Sequence, residues 1–496
     1  MAEYGMYIDG VWSGSSSGET FDVLNPATED VIAKVPKGTV EDARRSIDAA
    51  RKAFDSGIWS GKTPAERSAV LYRLAELVVS NADKLAKLES LNVGKTLKYS
   101  RDSDLPFIID NLKFFAGAAR SLEGKAAAEY SGMGTSIIRR EPLGVIGCII
   151  PWNYPLYIAV WKIAPALAAG NTLVVKPASY TPLTLLEFAK LAAKAGVPKG
   201  ALNVVTGPGG VIGSEIAMSR KVDMIALTGD TETGKRVVQM ASASIKRIHL
   251  ELGGKAPMIV LPDADIEAVA QGAVIGGYWN TGQDCTAVTR VIIHEDLYEK
   301  TIRRMAQKAR RFVVGDPLNA KTDMGPLISA RQRERVEAFI RKGLEEGARI
   351  VAGGKRPAGL KKGFYLEPTI LRDAEQDMAV CREEIFGPVI VAYSYSKLDE
   401  AIEKANDVDY GLAASVYGRD ITSCMKAANE LDFGTVWINE HGILTSEMPH
   451  GGFKQSGFGK DLSIYSFDEY TRTKHVYIDL TGKAIKDWHS VVYAGK

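Results

Sequence analysis

Residues 171–210 read NTLVVKPASYTPLTLLEFAKLAAKAGVPKGALNVVTGPGG. An apolar run stops at Lys176 in a proline and small polar residues. A stretch with apolar positions at helical spacing follows, and a second apolar run ends at TGPGG. Strand, helix and strand in that order make a βαβ unit, whose crossover forces the two strands to lie parallel. Working outward, VIGCIIPW (145–152) and MIALTGD (224–230) are further short runs ending in Gly, Pro or polar residues, with helix-like VIGSEIAMSR (211–220) between. The expected fold class is therefore α/β, with parallel sheets covered on both faces. In such sheets ligands bind beyond the carboxyl ends of the strands, so the residues just after each run are the ones to inspect.

Further out, residues 41–56, 63–91 and 104–121 carry apolar positions at helical spacing and read as amphipathic helices. TSIIRREP (135–142) reads as a strand. A second α/β pattern starts near Glu251 and runs to about residue 435, with PMIVL, VTRVIIH and a long charged helix over 296–313. HVYIDL (475–480) is a closing strand, and the main boundary falls near 250.

The 62 basic and 60 acidic side chains leave a net charge of +2, which gives no electrostatic case for a nucleic-acid or anionic membrane partner. The opening MAEYGMYIDGVWS lacks a signal-peptide pattern, and no run approaches the roughly 20 apolar residues of a membrane span. A cytoplasmic protein is expected. The cysteines, Cys148, Cys285, Cys381 and Cys424, are few and widely separated, which suits a reducing compartment. No C-x-x-C, H-x-x-x-H or H-E-x-x-H spacing occurs, so no metal site is expected.

Four places carry candidate chemistry. Cys285 lies in GQDCTA, a glycine-rich polar setting that suits a nucleophile or a half-buried cysteine at a helix start. Glu251 in HLELGGK ends an apolar run beside a glycine pair, as a general base or a turn carboxylate would. Asn153 in PWNYP offers an amide donor for an oxyanion, or serves as a turn residue. Lys176 and the glycines of TGDTETG, Gly229 and Gly234, suit a ribose or phosphate at a strand's end. The glycines of GPGGVIG (207–213) are out of phase with a G-x-G-x-x-G fingerprint.

In order and spacing, PWNYP, VVKPA, LTGDTETG, LELGGK, GQDC and EEIFGP resemble the aldehyde dehydrogenase superfamily, from IDG at 8–10 to YTRTKHVY at 470–477. The resemblance implies oxidation of an aldehyde to its acid with NAD or NADP, through a thiohemiacetal and a thioester on Cys285. It gives Glu251 the role of base, Asn153 with the Cys285 N–H the oxyanion hole, and Lys162 that of a proton-relay lysine. The cofactor would meet Ile150, Pro151, Trp152, Lys176, Ala178, Ser179, Gly209, Gly229, Asp230, Thr231, Gly234 and Leu252, with Glu384 and Phe386 at the nicotinamide ribose and ring. It also implies a cofactor domain from 1–123 and 142–249, a catalytic domain at 250–435, and an oligomerisation arm and tail from 124–141 and 470–496. A homotetramer or homodimer follows.

Three departures from the pattern stand out. Ser179 replaces a Glu common in NAD-preferring members, which removes a charge that repels the 2′-phosphate of NADP. Asp230 replaces a Ser in the glycine turn, where a helix cap is the expected role. The acidic partner of Lys162 is expected to be missing, with Ile464 in its place.

On the substrate side the resemblance is to the aminoaldehyde (4-aminobutyraldehyde) and betaine-aldehyde branch. Tyr154 and Trp161 would form an aromatic wall, with Asp104 and Asp110 pairing an amine at the tunnel mouth. Glu447 and His450 lie in SEMPHGG, and His450 stands where betaine-aldehyde enzymes often carry Trp. Alternatives are a semialdehyde enzyme, which would want tunnel arginines, a broad-specificity aldehyde dehydrogenase, a cysteine-dependent esterase, or a non-catalytic binding or structural member.

Overall fold

In the computed structural model, which describes residues 2–121 and 127–493, the run Val145–Ile149 lies within an eight-stranded sheet. The strand order is Gly457–Phe458, Arg247–Glu251, Met224–Thr228, Val145–Ile149, Thr172–Lys176, Leu202–Val204, Met6–Ile8 and Val11–Ser13. The five strands from Arg247–Glu251 to Leu202–Val204 run parallel, and the flanking strands are antiparallel. Val145–Ile149, Thr172–Lys176 and Met224–Thr228 are buried throughout, because helices such as Val40–Asp55, Pro155–Ala169 and Leu183–Ala195 cover them.

A second sheet of seven strands takes the order Arg349–Ala352, Thr369–Arg372, Val389–Tyr395, Arg290–His294, Pro257–Val260, Ala413–Tyr417 and Thr435–Ile438. Only its first pair is antiparallel. A third sheet pairs Thr471–Asp479 with Gly134–Pro142 along nine residues, with Ala127–Ala128 on the far side. The expected arm begins at 124, but 124–126 lie outside the described residues, as do 494–496 of the tail.

The helix expected over 63–91 is two helices, Pro64–Ser80 and Ala82–Val93. Between them Asn81 leaves helical geometry at φ −116° and ψ 13°, its amide donating to Leu77 O. The stretch 104–121 gives Leu105–Ala118 after a wide turn at Ser100–Asp104, and 296–313 gives Glu295–Ala309. VIGSEIAMSR is helical over its first eight residues, a wide π-helical turn at Gly209–Gly213 running into the short helix Ser214–Met218. After the second sheet the chain returns to the edge of the first as Gly457–Phe458, a two-residue strand too short to leave a periodic signal. Among the described residues no helix is long and apolar enough to cross a membrane.

Candidate active site

Glu251 is the last residue of Arg247–Glu251 and is 1 % exposed. Gly452 N donates to Oε1 at 3.3 Å, and His450 Nε2 lies 3.5 Å from Oε2. Cys285 follows the turn Trp279–Gly282, in which Asn280, Thr281 and Gly282 all have left-handed backbone, at φ +48°, +60° and +67°. A Cβ at Gly282 would stand 2.2 Å from Gly387 O, and one at Gly254 would stand 2.2 Å from Cys285 O. Both positions therefore require glycine, and the cysteine loop is pressed between the LELGGK and EEIFGP segments.

Asn153 is buried and donates one amide N–H to Gln283 O at 3.0 Å. Asn280 Nδ2 donates to Asn153 O at 3.0 Å, and Ile328 N donates to Gln283 Oε1 at 2.9 Å. The amide is thus fixed beside the cysteine loop with its second N–H uncommitted. On the other side of Cys285, His441 Nε2 lies 2.7 Å from Thr286 O and Nδ1 lies 3.0 Å from Ser415 Oγ. A carbonyl only accepts, so Nε2 carries the proton and Nδ1 receives the Ser415 hydroxyl.

Burial pushes the half-buried Cys285 thiol well above its ordinary pKa, and Asp284, Glu251 and Glu384 push it further. Burial likewise raises Glu251, and Asp461 adds to the rise against His249, Lys162 and Lys460. Such a carboxyl is poised to take a proton in the alkaline range. Lys162 is fully buried, and its amine lies 3.0 Å from Asp461 Oδ2. The expectation of a missing acidic partner is corrected here. Ile464 is 41 % exposed on a following helix, while Asp461 supplies the carboxylate. Asp461 is brought in by a backbone bridge to His450, with N–H to O distances of 2.8 and 2.7 Å.

The groups expected to hold a dinucleotide lie mostly along the carboxyl ends of the first sheet's strands. Lys176 is buried, its amine donating to Pro177 O at 2.8 Å, and burial lowers its pKa to about 8. Ile150 N donates to Lys176 O, and Ser179 Oγ donates to Gly207 O at 3.1 Å. Pro151, Trp152 and Ala178 are half-buried and Gly209 is exposed. The Thr228 hydroxyl, just before Gly229, is buried without a hydrogen-bond partner among the described residues. Asp230 caps Thr231–Ala241, accepting from Thr233 N at 2.9 Å and Thr233 Oγ1 at 2.6 Å, which is the capping role expected of it. Thr231 Oγ1 donates to Gln455 O at 3.3 Å, and a Cβ at Gly234 would strike Leu252. Glu384 accepts from Gly254 N at 2.9 Å, and its burial lifts its pKa to about 7. Phe386, at φ +58°, sets its ring edge-on to Trp152 at 5.3 Å.

On the opposite side, Tyr154 Oη donates to Asp284 Oδ2 at 2.6 Å and lies 2.9 Å from Tyr99 Oη. Tyr157 packs between Tyr154, Trp161 and Phe107, at ring-centroid distances of 5.7, 5.1 and 4.9 Å. Trp161 stands edge-on to His450 at 5.4 Å. Tyr99 packs edge-on to Trp279 at 4.3 Å, beside a cavity of about 370 Å³. Asp104 does not reach this side: it is 1 % exposed and bound to the buried amine of Lys95 at 2.7 Å, with Glu89 at 3.7 Å from the same amine. A carboxylate already neutralised in the core has nothing left for a ligand. Asp110 is exposed and accepts from Ser446 Oγ at 2.7 Å, and Glu447 is exposed.

Residues 12–476 match the sequence profile of the Aldehyde dehydrogenase family. The chain belongs to this family. It is 43 % identical over 487 residues to a betaine aldehyde dehydrogenase of Bacillus subtilis (strain 168), covering 98 % of this chain and 99 % of the relative. A phenylacetaldehyde dehydrogenase of Pseudomonas fluorescens is 41 % identical over 479 residues, with 95 % of each covered. The NAD+ complex of an aldehyde dehydrogenase from Bacillus cereus superposes with a TM-score of 0.95 at 41 % identity, covering 97 % of each chain.

Within this aldehyde dehydrogenase fold several groups escaped the sequence. Asp284, the neighbour of Cys285 in GQDCTA, is one of them. Its half-exposed carboxylate also accepts from Thr286 N and Thr286 Oγ1, each at 2.7 Å. Tyr99, Tyr157, Trp279, His441 and Asp461 carried no local signal, because each meets the site through contacts distant in the chain.

Proposed function

We propose that the chain oxidises a cationic aminoaldehyde, such as 4-aminobutyraldehyde, to its acid through a thioester on Cys285. The observation that carries the reading is the convergence of Glu251, the fixed amide of Asn153 and the clamped Cys285 loop. The thiol attacks the aldehyde carbon, and its proton passes to the basic cluster around Glu251. The free N–H of Asn153 and the Cys285 N–H take the negative charge that develops on oxygen. Glu251 then removes a proton from the water that opens the thioester, the acid leaves, and the thiol is restored.

The dinucleotide groove fits NAD or NADP by its donor set. Lys176 supplies a buried cation, the partnerless Thr228 hydroxyl a donor, and Glu384 a carboxylate oxygen not used by Gly254. When bound, the nicotinamide supplies the acceptor for the aldehyde hydride. Ser179 places no carboxylate near the ribose, which supports use of both cofactors.

The aromatic group Tyr154, Tyr157, Trp161 and Phe107, next to the half-exposed Asp284, supports the cationic substrate. A cation over such rings gains roughly 0.5–2 kcal/mol. His450 is turned toward Glu251, so it does not complete a cage for a quaternary ammonium. The long edge Thr471–Asp479, unpaired on one side among the described residues, supports assembly into a homodimer or homotetramer.

The test is cofactor reduction with 4-aminobutyraldehyde, betaine aldehyde, succinic semialdehyde and an alkyl aldehyde, each with NAD and NADP. The aminoaldehyde should be fastest, and Cys285→Ser should abolish turnover with every pairing. Preference for the acidic semialdehyde would overturn the substrate reading, and activity in Cys285→Ser would overturn the mechanism.

A further inference from the structure

Beyond Lys162 and Asp461 the buried charges continue toward the surface. Side chains two apart in a strand share a face, so His249 lies on the Glu251 face of Arg247–Glu251. Its Nε2 is 3.6 Å from Asp461 Oδ1 and its Nδ1 is 3.0 Å from Glu469 Oε2. Both are ionic contacts rather than aligned hydrogen bonds. The side chains of Lys162, Asp461 and His249 are 0 % exposed and that of Glu469 is 27 % exposed, so Glu469 is where the series meets water. The pair is held together by its surroundings. Lys460 N donates to Glu469 Oε1 at 2.8 Å, and a Cβ at Gly459 would stand 2.8 Å from Glu469 Oε2 and 3.0 Å from His249 Cγ.

We propose that His249 and Glu469 form the outlet by which the proton taken up at Glu251 leaves the protein. The inference rests on Glu251 acting as the base. An imidazolium releases its Nδ1 proton to Glu469, rotation of the ring then turns the vacant nitrogen to the Asp461 side, and the proton taken there restores the imidazolium, so one proton crosses per ring flip. Glu469 passes it to bulk water, and no net charge stays behind. The charged and titratable groups facing the imidazole suit this traffic. Burial alone would lower the His249 pKa, but Asp461 and Glu469 outweigh both burial and Lys162 and bring it to about 9. Glu251 and Lys460 lie on the inner side, and Cys148 and Tyr470, both raised by burial, stay neutral beside Asp461. Burial holds His450 at about 4, so it stays uncharged next to Glu251, and the Arg247 guanidinium donates to the Glu469 carbonyl. His249 is therefore a positioning and proton-passing residue rather than a catalytic one.

The experiment compares His249→Gln, Glu469→Gln and Glu251→Gln with the parent enzyme, by first-turnover and steady-state rates in light and heavy water. In the two outlet variants the first turnover should be unchanged and the steady state slower, on the order of tenfold, with KM constant and a larger solvent isotope effect. Concentrated small buffer should restore Glu469→Gln, whose site is open to water, but not His249→Gln. Parent-like steady state and isotope effect in both variants would overturn the outlet. Equal loss in first turnover and steady state at every pH would also overturn it, as simple distortion. Glu469 is partly exposed, so its variant keeps the test alive if His249→Gln fails to fold. Undiminished steady-state turnover in Glu251→Gln would instead overturn the reading of the base.

Discussion

The two approaches to Cys285 are built by different means. On the proposed dinucleotide side, Lys176, Thr228 and Glu251 stand at the ends of parallel strands in one sheet. Its register sets Ile149 against Lys176 and Leu227, and Thr228 against Glu251. On the proposed substrate side, Tyr99, Phe107, Tyr154, Trp161, Trp279 and Asp284 come from turns and helices that meet only through packing. One side is ruled by hydrogen-bonded register, which a local motif announces. The other is ruled by side-chain convergence, which it does not.

Four experiments press on that contrast. The largest effect is expected at the junction of the two sides. Asn153→Ala should cut kcat by on the order of 10²–10³ with little change in KM, since the lost donor serves developing charge. A loss below tenfold in steady-state assays would assign the oxyanion to other donors.

Asp284→Asn comes next and probes the substrate side, where the carboxylate also bears on Cys285. A hydrogen bond to a charged group is worth about 1.5–3 kcal/mol, so KM for 4-aminobutyraldehyde should rise about ten- to a hundredfold. For an uncharged aldehyde kcat/KM should stay nearly constant. An equal loss with both substrates would place the effect on Cys285 instead.

The pH profile follows in size. Glu251 and Cys285 are both raised above their ordinary values, chiefly by burial, so their reactive basic forms appear as pH climbs. Activity should therefore increase from neutral into alkaline pH, by up to about tenfold per unit for one ionisation. A profile flat across neutrality would mean that Glu251 is already ionised there.

The smallest effect belongs to the turn at the rim of the dinucleotide groove. Asp230→Ala removes a helix cap and should cost about 1 kcal/mol of stability in thermal or denaturant unfolding. Dinucleotide affinity should hold or improve, because the carboxylate is spent on Thr233. Weaker binding would return Asp230 to the cofactor contacts.

The same contrast explains where sequence reading succeeded. The βαβ unit at 171–210 was legible because apolar runs ending in Gly, Pro and polar residues mark buried parallel strands. Asp104 was misplaced because nothing in SRDSDLP tells a surface carboxylate from one bound to Lys95 in the core. Asp461 was passed over for Ile464 because its approach to Lys162 depends on a bridge to His450, eleven positions away. The break at Asn81 was hidden because the apolar spacing continues across it.

By itself, the sequence determined the α/β class, the family and the strand-end motifs, since each rests on residues close together in the chain. Only the tertiary structure decided which carboxylates are free, which are paired, and which way the aromatic rings face. Those outcomes depend on burial and on partners that no local motif announces, whether nine residues away, as Lys95 is from Asp104, or hundreds. Lys162 and Asp461, 299 positions apart, become an ion pair only when the chain returns to its first sheet.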